Sequence, residues 1–463
     1  MLKRTVLTAT LAAAFGMPAA HVAAATSDPE LAQIREQIQQ LKESYERRIA
    51  ALEQRLQESE AKAQAAPAVE VTAITPAVPS SASAAANGFN PSVALILGGT
   101  YAHLSQDPAQ YRLQGFLPSG DEIGPGKRSF NLGESELTLS ANIDPDFAGR
   151  LTFSLAADNS VSVEEAFVQT LGLSHGVNVK AGRFLSGIGY LNSQHAHAWD
   201  FVDAPLAYQA FFGGQYKPDG VQLTWLAPTE RFLEVGLEAG NGSAFPGNDR
   251  SKNGFGATTL FAHVGDDLGV SASWRAGVSY LRTNASNRSY TDSDHLGVDV
   301  TNAFTDRSDV WIVDGIYKWA PNGNAAQTSF KLQGEYFRRK ETGTLFYDTQ
   351  AQSLGSSSAP SLNTQSGWYV QGVYQFMPKW RSGLRYDRLD SGSLALNGLN
   401  PGDFARLSEY HPTRASWMLD YSPSEFSRLR LQLARDRSRP DAIDNQLFLQ
   451  YLMSLGTHGA HTF

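Results

Sequence analysis

Two histidines one residue apart, with carboxylates close behind, give the first pattern in this sequence that could do chemistry: His195 and His197, then Asp200 and Asp203. Imidazole nitrogens with carboxylate oxygens form a feasible ligand set for Zn²⁺ or Cu²⁺. Polar loops often contain the same residues without an ion, so two readings stand at this point: a metal on His195 and His197, or a loop that is only polar. His458 and His461 fall on opposite faces of an extended segment and are not expected to share an ion. The second pattern is basic. Arg381 and Arg385, Arg414, and Arg428 and Arg430 recur on one side of three consecutive alternating segments, with Asp387 and Asp420 on the same side. Such a ladder can replace part of an anion's hydration and focus positive potential. Alternatively, it forms salt bridges that only stiffen a wall. Glu136, Glu165, Glu234 and Glu238 would line the far wall, and Arg183, Arg275 and Lys331 are further candidates for the inward side.

Nothing resembles an enzyme centre. There is no Gly-x-Ser-x-Gly elbow, no His-Glu-x-x-His and no phosphate-binding loop. The Gly pairs at 98–99 and 213–214 read as bends or turns. No catalytic residues and no cofactor are therefore expected. A formal charge of -8 argues against a nucleic-acid partner. The chain has no cysteine, so no disulfide framework holds it.

The elements that must position these residues are strands. Leu137, Leu139, Ala141 and Ile143 alternate with Glu136, Thr138, Ser140 and Asn142; Asp144-Pro145-Asp146 then makes a tight turn, and Leu151, Phe153 and Leu155 follow. The pattern recurs, with starts near Val93, Glu134, Gly149, Val163, Val177, Val221, Phe232, Thr258, Ser271, Asp309, Ser329, Gly367, Trp380, Arg414, Ser427 and Asn445. Apolar stripes carry Trp and Tyr towards their ends: Trp311 with Tyr317 and Trp319, Trp368 with Tyr374, Trp380 with Tyr386. Rings so placed suit the two interfaces of a membrane. The opposite stripe is polar and charged, the reverse of a soluble sandwich. The expected fold is all-β: a transmembrane antiparallel β-barrel of about 16 strands, preceded by a short N-terminal coiled-coil helix. Short turns at Asp144-Pro145-Asp146, Ala227-Pro228-Thr229, Pro378-Lys379 and Ser422-Pro423-Ser424 should alternate with long outer loops near 105–132, 186–219, 283–307, 340–365 and 390–412.

The ends agree. Residues 1–25 have the charged start, apolar run and Ala-rich cleavage site of a secretory signal. Residues 26–62 carry Leu31, Ile34, Ile38, Leu41 and Tyr45, then Ile49, Leu52 and Leu56, a heptad seam with one stutter. Three copies of that helix would match a homotrimer; a solitary amphipathic helix is the other reading. Residues 63–88 form an Ala/Pro-rich linker, and residues 89–463 the barrel, whose last strand ends at Phe463.

Three features resemble the phosphate-selective porin (O and P) family: the coiled-coil-like segment before the barrel; Ser135 to Asp144 followed by Val163-Glu164-Glu165-Ala166-Phe167-Val168; and Val179-Lys180-Ala181-Gly182-Arg183-Phe184 leading into a long loop. The resemblance is spread over most of residues 90–463 and implies a trimeric 16-stranded porin whose third loop folds inward. Phosphate specificity does not carry over, because the loop from Gln194 to Gln215 has no Arg or Lys. The resulting expectation is an outer-membrane porin: a passive, water-filled channel for small hydrophilic solutes, with preference for anions. It would contact outer-membrane lipid and be constricted by loop 186–219 through Trp199, Asp200, Phe201 and Asp203. A divalent-metal (zinc) uptake porin, or an outer-membrane anchor with a periplasmic coiled coil, are the alternatives.

Overall fold

The computed structural model describes residues 91–463, apart from residues 120–122, 134, 157–159, 250 and 457–463. The expectations for the signal, the coiled coil, the linker, His458, His461 and the terminal Phe463 lie outside the described residues.

Alternating side chains produce strands wherever the sequence alternates. In order they are β1 (Ser92–Leu104), β2 (Ser129–Leu132), β3 (Ser135–Asn142), β4 (Phe147–Leu155), β5 (Val161–Thr170), β6 (Val177–Arg183), β7 (Asp219–Leu226), β8 (Phe232–Gly240) and β9 (Ala257–Leu268). They continue with β10 (Ala272–Ser293), β11 (Asp299–Trp319), β12 (Ser329–Tyr347), β13 (Ser357–Met377), β14 (Trp380–Asp390), β15 (Thr413–Ser424), β16 (Ser427–Arg439) and β17 (Ala442–Gly456). β2 and β3 both pair with β1 and are two halves of one stave, interrupted at Gly133. Sixteen staves therefore run antiparallel, each beside its neighbour in sequence, and β1 closes the ring by pairing with β17 from Ala94 to Leu104. Closure leaves no sheet edge, as hydrocarbon requires.

The two faces differ in chemistry. Outward positions expose large apolar side chains such as Leu384, Val313, Trp311 and Leu449, each at least half exposed. On the outer face the aromatic rings pair across strands, Tyr280 with Trp311 at 4.7 Å and Trp380 with Tyr421 at 4.6 Å between centroids. Trp311 and Trp319 share the outward stripe of β11 and are about 26 Å apart along it, close to the ~25 Å apolar band of such barrels. Inward positions hold the charged and amide residues. The molecule is a transmembrane β-barrel.

Two expected loops are not loops. Residues 283–307 and 340–365 are mostly extensions of β10–β11 and β12–β13, which run 22, 21, 19 and 21 residues. A spanning strand needs only ~9–11. The extensions are largely polar on the outward face, which reads as loop, but ladder bonds are made by backbone whatever the side chain, and Tyr290, Val300, Phe304, Leu345 and Tyr347 form a buried apolar cluster inside them. The short turn expected at Ser422-Pro423-Ser424 is also shifted, since β15 continues through Ser424.

Candidate functional site

The connection after β6, residues 184–218, folds into the barrel interior. Its helix α1 (Leu206–Phe212) has all seven residues buried. Phe211 stacks on Phe337 of β12 at 5.6 Å, and Tyr208 meets the same ring edge-on at 5.1 Å. Burial of each such ring contributes roughly 1.5–3 kcal/mol. Gly213, at φ 68°, ends the helix in the left-handed conformation that favours glycine. The loop's first residues are held by inward carboxylates. Glu238 accepts from Ser186 Oγ at 2.6 Å and Gly187 N at 2.9 Å. Glu335 accepts from Leu191 N at 3.0 Å, and Tyr208 Oη donates to it at 2.9 Å. Arg275 donates to Gly189 O at 2.9 Å.

Beyond them the loop meets the basic ladder. Asp200 lies 2.5 Å from Lys331 Nζ and 3.3 Å from Arg381. Asp203 lies 2.8 Å from Arg385 and 2.6 Å from Arg414. Arg428 donates to His197 O at 2.5 Å, and Arg430 to Trp199 O at 2.9 Å. The side chain of Phe201 packs on Val373 and Met418, with Arg385 over its ring at 4.6 Å. Burial alone would raise the Asp203 carboxyl, but the Arg414 and Arg385 guanidiniums hold it down at about 2. Asp200 is likewise lowered, burial being outweighed by Lys331 and Arg381. Lys331, Arg381, Arg385, Arg414 and Arg430 thus face five carboxylates, Asp200, Asp203, Asp387, Asp420 and Asp436, while Arg428 is held on the His197 carbonyl. The ladder is a set of ion pairs that anchors the loop.

The histidines anchor it on the β3–β5 wall, separated from β16 by β17 and β1. His195 Nδ1 is 3.2 Å from Glu136 Oε2 and from Glu164 Oε2, its Nε2 is 3.1 Å from Glu165 Oε2, and His197 Nδ1 is 2.8 Å from Glu136 Oε1. Burial would lower the His195 imidazole, but Glu136, Glu164 and Glu165 together raise it well above its ordinary value. The partners are these glutamates rather than Asp200 and Asp203. Glu164 escaped sequence reasoning. It is the extra residue of a bulge, where Thr152 opposes Glu165 and Phe153 opposes Val163. The visible signal was two adjacent glutamates in an alternating strand.

Other expected residues divide cleanly. Glu136, Glu165, Glu234, Glu238, Arg275 and Lys331 share the inward stripe. Arg183 does not, and the expectation for it is corrected. It pairs in register with Asp219 and Ala166, on the stripe of Val177, Val179 and Ala181, and bonds Asp219 at 2.6 Å. Lys180, an odd number of residues earlier, is the inward cation of β6, with Phe167 below its ammonium at 4.6 Å. Between the loop and the β3–β6 wall lies a cavity of about 610 Å³, bordered by Asn142, Arg150, Glu165, Gln169, Lys180 and His195.

No family model matches the sequence. In fold, the chain is similar to the outer-membrane protein OmpT of Vibrio cholerae (10% identity, 80% of this chain and 100% of that one, TM-score 0.48). It is also similar to an anion-selective porin from Comamonas acidovorans (10% identity, 80% and 100%, TM-score 0.49) and to the outer-membrane channel DcaP of Acinetobacter baumannii (13% identity, 80% and 98%, TM-score 0.45). In sequence, it is 32% identical over 408 residues to an uncharacterised protein of Aquifex aeolicus (strain VF5), an alignment covering 81% of this chain and 80% of that one. The chain therefore belongs to the same protein family as this Aquifex aeolicus protein.

Proposed function

We propose that the chain is a passive outer-membrane channel for small hydrophilic solutes, with a preference for anions, narrowed by segment 184–218. The observation that carries this reading is a sixteen-stave ring with an apolar outside and a polar inside. About eight strands can be filled by their own side chains, whereas 16–18 enclose a lumen. Here a loop anchored on both sides occupies part of that lumen. Solute would pass beside it, through the cavity on the β3–β6 wall.

The anion preference is assigned to that cavity rather than to the ladder. Arg150 and Lys180 border it, and its carboxylate, Glu165, is already 3.5 Å from Arg150. Of the ladder arginines, Arg381, Arg385, Arg414 and Arg430 are paired with loop and wall aspartates, which leaves them little field to offer. Assembly as a homotrimer, as the N-terminal heptads suggest, belongs to the same proposal and is checked by the mass of the detergent-solubilised protein. The test of function is the zero-current potential of purified protein in a planar bilayer under a KCl gradient. Anion preference that falls in R150Q/K180Q supports the assignment. Cation preference, or no conductance at all, contradicts it.

A further inference from the structure

We propose that Glu136, His195 and His197, with Glu164 flanking His195, form a site for one divalent transition-metal ion of the Zn²⁺ class, and that the ion ties the loop to the β3–β5 wall. One donor atom from each of Glu136, His195 and His197 lies within 4.8 Å of the others. The ligands come from two separate places, β3 and the lumen loop, with Glu164 of the β5 bulge beside His195, so the fold rather than a local turn assembles them. Bonds of 2.0–2.1 Å in a tetrahedron place neighbouring ligand atoms about 3.3 Å apart. The separations from His195 Nδ1 to Glu136 and to Glu164 are both 3.2 Å, and that from His197 Nδ1 to Glu136 is 2.8 Å. Two imidazoles select a borderline metal over Ca²⁺ or Mg²⁺, which prefer oxygen alone.

The hydrogen bonds fit such a site. Both ring nitrogens of His195 face carboxylates, an arrangement met by an imidazolium donating twice or by a metal on one nitrogen. With a metal on Nδ1, the remaining Nε2–H donates to Glu165 Oε2 at 3.1 Å. That is the carboxylate–histidine–metal arrangement which fixes ring orientation. Arg150 backs Glu165 at 3.5 Å, and Lys217 backs Glu164 at 3.9 Å. Glu136 is 1% exposed, and its charged partners among the described residues are the two imidazoles. A buried carboxylate needs a countercharge. Two carboxylates and two neutral imidazoles balance one divalent ion. His195 and Glu165 also border the cavity, which gives the ion a way in.

Binding stands on the ligand geometry; any effect on conductance rests on the channel reading. The test is titration of the EDTA-treated full-length protein with ZnCl₂ by calorimetry, alongside H195Q/H197Q, whose amides keep size and hydrogen bonding. We expect one Zn²⁺ per protomer in the wild type and loss of that binding in the variant. Heat-modifiable gel migration checks that the variant barrel is folded. Should the variant not fold, the visible absorption of Co²⁺ bound to the wild type decides the question: a tetrahedral spectrum displaced by Zn²⁺ supports the site, and an octahedral one overturns it. No binding to the wild type, or equal binding to a folded variant, also overturns it. In bilayers, Zn²⁺ should lower wild-type conductance and EDTA restore it. Binding without that change would refute the tie, and binding by protein that forms no channel would refute the channel reading instead.

Discussion

The lumen loop has two anchors, and they differ in kind. On the β12–β16 wall, Asp200 and Asp203 meet Lys331, Arg381, Arg385 and Arg414 in direct ion pairs. On the β3–β5 wall, His195 and His197 meet glutamates, the donor set of the proposed metal site. The first anchor is closed: the side chains of Arg385 and Arg414 are 1% and 2% exposed. The second borders a cavity of about 610 Å³. A lumen loop can thus be fixed along one edge and left adjustable along the other, and the open space lies beside the adjustable edge.

The largest way to break this contrast is to cut the fixed anchor. Arg414→Ala takes from Asp203 and Asp387 one of the two guanidiniums they share with Arg385 and leaves buried Asp436 without its ion pair, and should destabilise the barrel by about 3 kcal/mol, read by thermal unfolding in detergent. Acid should loosen the same anchor more gently. The Asp203 carboxyl is depressed to about 2, so its contribution is present above its unfolded value near ~4 and is lost as pH falls through about 2. That contribution is roughly 2 kcal/mol. Conductance should rise reversibly on acidification over that range, and Asp203→Asn should abolish this component of the rise. A smaller effect is expected at the cavity, where Lys180→Gln should shift the zero-current potential towards neutrality with little change in stability. The smallest is Arg183→Ala. Its ion pair with Asp219 is about two-fifths exposed on both sides, worth about 0–1 kcal/mol, and its outward position leaves selectivity unchanged. A selectivity shift in Arg183→Ala would contradict the register assigned to β6.

Much of the barrel was legible in the sequence because period-two alternation is a local property. Every stave is foreshadowed, and most begin within a few residues of where alternation places them. β11 and β13 begin ten residues earlier than expected, at Asp299 and Ser357, because the outward faces of their outer parts are largely polar. The inward arginines of β14–β16 were legible by parity as well. Arg183 was not, since its neighbour Lys180 shares the basic character and only the register with Asp219 separates them. What occupies the ladder could not be read, because Asp203 and Arg414 are 211 residues apart and no periodicity links them. The glutamates that receive His195 depended on a bulge, which shifts one residue and leaves no spacing rule behind.

The central claim is that segment 184–218, pinned by its aspartates, narrows a conducting lumen. The most direct measurement is single-channel conductance of wild type against D200N/D203N in planar bilayers, with both barrels shown to be folded. Release of the loop predicts a clearly larger conductance in the variant, with the ladder arginines uncovered and anion preference strengthened. Equal conductance and equal selectivity in the two proteins would contradict the account.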